Sequence, residues 1–236
     1  MTICAAVMCR VDKKRRQDAI LCISDRMLTW GDEYQAQTKH KTKAFGLSPA
    51  NALAFYTGNS NQHFAIVTKT HQRAIGEEIT DVEKVARWYS RNLKVFEKEE
   101  GEAADIQAIV AGFDSGGPHI YRVDEKGYVR CFDDNGYCVI GSGTDLFASY
   151  FDRSGYTRFL GMHDALWLMY VAKGIAEADP FVGNVTDIFM ICDGDNGRLP
   201  NAAKALKTYH KELDAKEREI IRKMRNDLRF RLVTEP

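Results

Sequence analysis

The chain has 236 residues, enough for one large domain with a full core, and its 44% hydrophobic and 28% charged residues are ordinary for a globular protein. Lysine plus arginine equals aspartate plus glutamate at 33 each, so net charge gives no reason to expect nucleic acid, a membrane surface or an acidic substrate. The six cysteines are scattered without a CxxC pair, no window approaches about 18 apolar residues, and no basic-then-apolar leader is read; the expectation is a cytoplasmic protein with reduced thiols and neither metal nor cofactor.

In chain order, TICAAVMCRV, the polar DKKRRQ and DAILCISD read as two strands joined by a charged turn. Chain starts are loose unless something ties them down, so an apolar run from Thr2 to Val7 implies a buried strand that holds Thr2 rigidly. Removal of Met1, usual before a small residue, leaves a free α-amine beside the Thr2 hydroxyl: a nucleophile and its base in one residue.

An irregular stretch is expected over Gly31 to Thr42, followed by KAFGL and NALAFYTG as a strand pair that turns at Ser48-Pro49. The apolar period then becomes helical from Asn61 to Glu78 and from Thr80 to Lys98. The second segment carries Val82, Val85, Tyr89, Leu93 and Phe96, with Thr80 and Glu83 spaced as a capping box. IQAIVAGFD and PHIYRVDEKGYVRCFDDNGYCVIGSG return to strand patterning, broken by turns at SGGP, DEKG and DDNG. Helices are expected from Thr144 to Phe151 and from His163 to Glu177, then a short strand TDIFMIC, two turns, and a charged helical tail from Asn201 to about Leu228. Strands and helices do not alternate regularly, which argues for a layered α+β fold. No repeat or Pro/Gly-rich linker divides the chain, so residues 1–236 are read as a single domain ending in that tail.

Several of these segments, taken together in order and spacing, resemble the proteasome β-type subunits and their bacterial relatives, HslV and the Anbu-type homologues. They are the threonine opening the first strand, ISDRM ending the second, a lysine in HKTKAF, the glycine of FYTGN, and AGFDSGGPHIYRVDEKGYV followed by VIGSGTDLF. The resemblance covers about residues 2 to 195. It implies a four-layer αββα sandwich of two antiparallel sheets and an N-terminal nucleophile hydrolase. The implied protein is a threonine-type peptidase subunit, cleaving peptide or unfolded protein inside a ring of identical copies, with an ATPase unfoldase as an optional partner.

The same resemblance implies roles for individual residues. Thr2 Oγ attacks an amide carbonyl while its own α-amine, with an ordinary pKa of about 7.7–8.0, takes the proton. Asp25 orients a catalytic lysine. Lys41 fits that lysine in register, and Lys43, on the same face of a strand, is the alternative. Gly58 supplies a backbone N–H to the oxyanion, and Ser142 in Gly141-Ser142-Gly143 bonds near the nucleophile's amine. Asp179 matches the aspartate that precedes a second serine, but the position of that serine is Val182, which can neither donate nor accept. Val182 keeps open a catalytically weak or inactive structural ring subunit, and a small-molecule amidase on the same fold is a third reading. CDGDNG lacks the downstream glutamate of a calcium loop and is read as a turn, and His163-Asp164 as a helix start rather than a metal pair.

Overall fold

The computed structural model describes residues 2–12, 17–30, 34–37, 43–213, 215, 216, 218 and 219. The chain divides into two compact units, Met1–Pro200 and Asn201–Pro236. In the second unit residues 202–213 are helical.

The first unit begins with β1 (Ile3–Asp12) and β2 (Gln17–Asp25), then β3 (Met27–Trp30), β4 (Tyr34–Gln37), β5 (Ala44–Leu47) and β6 (Ala52–Gly58). Two helices follow, α1 (Ser60–Gly76) and α2 (Val82–Glu100), then β7 (Ile106–Asp114), β8 (Gly117–Val123), β9 (Val129–Cys131) and β10 (Tyr137–Gly141). Last come α3 (Thr144–Arg153), α4 (Met162–Ala176), β11 (Thr186–Cys192) and β12 (Asp195–Arg198). The strands form two five-stranded antiparallel sheets, β10-β1-β2-β11-β12 and β5-β6-β7-β8-β9, with β3 and β4 as a separate two-stranded ribbon.

The layering follows from strands that are apolar on both faces. In β6, Leu53 and Phe55 point into one cluster while Ala52 and Ala54 point into another; β7 divides the same way, with Ile109 and Ala111 opposed to Ala108 and Val110. One cluster fills the gap between the sheets, where Cys4, Ala6, Met8, Cys22 and Ile191 meet Leu53, Phe55, Ile109 and Ile120. Phe55 and Phe189 cross it edge-on at 5.5 Å between ring centroids. The other cluster packs α1 and α2 on the second sheet through Ile66, Val67, Val82, Val85, Tyr89 and Leu93. On the far side α3 lies against β10, and α4 against β1 and β2. The architecture is therefore the expected αββα sandwich, in which each sheet is covered on both faces.

Three local expectations are corrected. The irregular stretch Gly31 to Thr42 contains β4, whose Met27↔Gln37 to Trp30↔Tyr34 pairing with β3 builds the ribbon. The α2 N-cap is Asp81 rather than Thr80: its side chain accepts from the Lys84 N–H at 2.9 Å, while Glu83 pairs with Arg87 Nε at 2.7 Å instead of closing a capping box. A strand also follows TDIFMIC, because Asp193-Gly194 forms a two-residue hairpin that places Cys192 opposite Asp195, with Gly194 in the left-handed region at φ +75°. Among the described residues no helix is long and apolar enough to cross a membrane.

Candidate active site

β1 and β2 are antiparallel neighbours with Cys4 opposite Ser24, so the head of β1 and the tail of β2 meet at one end of the first sheet. Thr2 and Asp25 sit there, 2% and 0% exposed. The Thr2 hydroxyl donates to Asp25 Oδ1. Lys43, which leads into β5 at the edge of the second sheet, reaches across from the opposite layer. Its ammonium donates to Thr2 Oγ1 and, at 2.7 Å, to Asp25 Oδ1, with the side chain 3% exposed. A hydroxyl, a carboxylate and an ammonium thus converge in a nearly dry corner, where hydrogen bonds between charged groups are short and strong.

The Asp25 carboxylate has one further donor: the Gly183 N–H lies 2.7 Å from Oδ2. Cys4 is a neighbour of the trio, with Sγ 3.3 Å from the Tyr56 carbonyl oxygen. Burial pushes its thiol up to about 12, Lys43 pulling it down and Asp25 adding a smaller push upward, so Cys4 stays protonated and does not compete as a nucleophile. Beside Asp25, Arg26 forks onto Asp187 with two contacts of 2.7 Å, and Arg198 bonds the same carboxylate. That group ties β2 to β11 and β12 and leaves Asp25 to Lys43 and Thr2.

β10 brings the Gly141-Ser142-Gly143 segment to Thr2. Ile3 pairs with Gly141, and the Ser142 N–H donates to the Thr2 carbonyl at 3.0 Å. Gly141 has φ +105°, and a Cβ there would come within 1.9 Å of the Thr2 oxygen, so only glycine lets β10 close on Thr2. Ser142 Oγ is buried with no hydrogen-bond partner among the described residues. Thr57 Cγ2 lies 3.1 Å from the same Cβ position, which sets the end of β6, and hence Gly58, at the same end of the sandwich as Thr2. Gly58 is also left-handed, at φ +94°, and pairs with Ile106.

Of the residues singled out in the sequence, Thr2, Asp25, Gly58 and Ser142 therefore share one end of the sheets. Lys41 lies outside the described residues, and the ammonium that touches Thr2 belongs to Lys43. Asp179 serves its own turn: Oδ1 accepts the Phe181 N–H at 2.8 Å and its carbonyl accepts the Val182 N–H at 3.0 Å. Val182 is 6% exposed and packs on Gly143, where an added Cβ would meet Val182 Cγ2 at 2.9 Å, Ala176 Cβ at 3.0 Å and Ile3 Cδ1 at 3.3 Å. Sequence reasoning missed Gly183, because a backbone donor carries no side-chain signature. Among the described residues no group of His, Cys, Asp and Glu side chains is arranged to hold a metal ion.

The sequence profile of the family described as Proteasome subunit matches residues 15–176. No match was obtained among curated proteins. Among solved structures the fold is similar to Anbu (ancestral beta-subunit) from Yersinia bercovieri, with a TM-score of 0.70 at 14% sequence identity, covering 91% of this chain and 95% of that one.

Proposed function

The chain belongs to the proteasome subunit family, and from that premise we propose that it is a threonine-type N-terminal nucleophile peptidase. The observation that carries the reading is the buried contact of the Thr2 hydroxyl with both Asp25 and Lys43. With Met1 removed, the α-amine of Thr2 accepts the hydroxyl proton, directly or through water, as Oγ1 attacks the carbonyl carbon of a peptide bond. Lys43, the alternative, takes the place expected of Lys41 in this scheme: its ammonium favours the developing alkoxide, and Asp25 holds it in place. The Gly58 N–H is the donor assigned to the oxyanion, and the unpartnered Ser142 hydroxyl is the group assigned to the liberated amine. The amine then protonates the leaving group, and water releases the acyl chain from Thr2.

Ring assembly into a cytoplasmic homo-oligomer, peptide or unfolded-protein substrates, and docking of an ATPase unfoldase belong to the same proposal. A second reading, a structural subunit with weak chemistry, draws support from Val182, whose buried methyl lies against Gly143 where the resemblance would place a hydroxyl. Intact mass after exposure to a threonine-directed β-lactone separates the two. The peptidase loses Met1 and gains one adduct per chain at Thr2, and Thr2→Ala abolishes both adduct and peptide hydrolysis. Retained Met1 without an adduct, or hydrolysis that survives Thr2→Ala, refutes the proposal.

A further inference from the structure

The loop between α4 and β11 brings Gly183 against Asp25. Its N–H donates to Asp25 Oδ2 at 2.7 Å, and a Cβ on Gly183 would meet Met27 Cβ at 3.2 Å and Asp25 Oδ2 at 3.4 Å. The carbonyl of the same glycine accepts from Lys173 Nζ at 2.6 Å. Lys173 is 1% exposed and reaches this carbonyl from the last turn of α4, while Glu177, one turn further on, takes the same ammonium at 2.5 Å.

An interior ammonium is a costly way to hold a loop. Desolvating it costs several kcal/mol, and an apolar side chain of similar volume often serves stability equally well. What a methyl group lacks is direction. The Lys173 ammonium fixes where the Gly183 carbonyl points, and with it the whole residue, whose N–H faces Asp25 on the other side.

Resting on the peptidase reading above, we propose that Lys173 is a positioning residue: by gripping the Gly183 carbonyl it aims the Gly183 N–H at Asp25, which in turn seats Lys43 against Thr2. The connection runs from α4, behind the first sheet, through one glycine to the nucleophile, and no atom of Lys173 touches substrate. Losing it leaves the trio present but loosely oriented, and small errors of placement cost rate rather than binding.

The test compares assembled wild type, Lys173→Met and Lys173→Gln in peptide hydrolysis, with kcat expressed per Thr2 titrated by a β-lactone and thermal midpoints measured in parallel. Lys173→Met is expected to lower kcat per titrated site by about 10- to 100-fold, with KM within about twofold of wild type. Lys173→Gln, whose amide can still donate to the Gly183 carbonyl, is expected to recover part of that loss. A lysine that serves stability alone lowers the midpoint and the titratable fraction but leaves kcat per titrated site unchanged, and that result overturns the proposal. If Lys173→Met fails to assemble, Lys173→Gln decides alone: a kcat per site below wild type at unchanged KM supports positioning, and wild-type kcat refutes it. Wild-type protein without turnover or a Thr2 adduct refutes the peptidase reading itself, and the role of Lys173 falls with it.

Discussion

Lys43→Met removes one charge from the trio and keeps most of the side-chain length, which makes it the sharpest perturbation of the site. The ammonium and Asp25 are 3% and 0% exposed and 2.7 Å apart, a separation at which unit charges attract by about 6 kcal/mol at an effective dielectric near 20, before desolvation is counted. Removing one partner of such a pair costs about 3–5 kcal/mol, because the remaining charge is left buried. Asp25 would keep the Gly183 N–H and the Thr2 hydroxyl, so the lower end, about 3 kcal/mol, is expected. Loss of the cation beside Oγ1 should lower kcat by roughly 10²- to 10³-fold, the usual cost of deleting one preorganised electrostatic partner. Urea denaturation gives the first quantity and turnover of a fluorogenic peptide the second, with Lys41→Met as a near-neutral control. If Lys41→Met abolishes turnover while Lys43→Met loses less than about 1 kcal/mol and retains its rate, the assignment of the ammonium is wrong.

Gly58→Ala places a Cβ about 1.9 Å from the backbone oxygen of Asp105 at a φ of +94°, so neither contact nor torsion can be relieved by a side chain moving aside. A loss of at least about 2 kcal/mol is expected, and a thermal midpoint equal to wild type contradicts the geometry. His119 bridges Asp133 at 2.7 Å and Asp114 at 3.1 Å; burial pushes its pKa down, but the two carboxylates push it further up, for a net rise above 6.5. The stability this clasp supplies is complete below the unfolded pKa and fades as pH rises through the folded one. His119→Gln should therefore cost on the order of 1 kcal/mol near pH 6 and progressively less toward pH 9, and a penalty independent of pH over that range would rule out a charged clasp.

A layered α+β fold was legible in the order of apolar strands and clearly periodic helices, and the αββα sandwich was what the family likeness implied. The ribbon was not, since YQAQ lies in a polar stretch without an apolar alternation, and β12 was not, because all four residues of DNGR are exposed. Thr2, Asp25, Gly58 and Ser142 could be placed by family likeness, whereas Lys41 and Lys43 share strand parity and differ only in register, which spacing does not resolve. Asp179 matched a pattern in letters, yet with Val182 three residues on, its carboxylate turns back to the Phe181 N–H. Lys173 carries no signal in the sequence, because lysines are rarely fully buried. Only the fold reveals that its ammonium points inward.

The trio draws its hydroxyl and carboxylate from one sheet and its ammonium from the other, across the seam where Phe55 meets Phe189. Under the peptidase proposal, a chain whose two halves have not yet clasped carries Thr2 without its cation. On the peptidase reading, activity is thereby interlocked with the completion of folding: a chain whose sheets have not packed together lacks the cation beside its threonine.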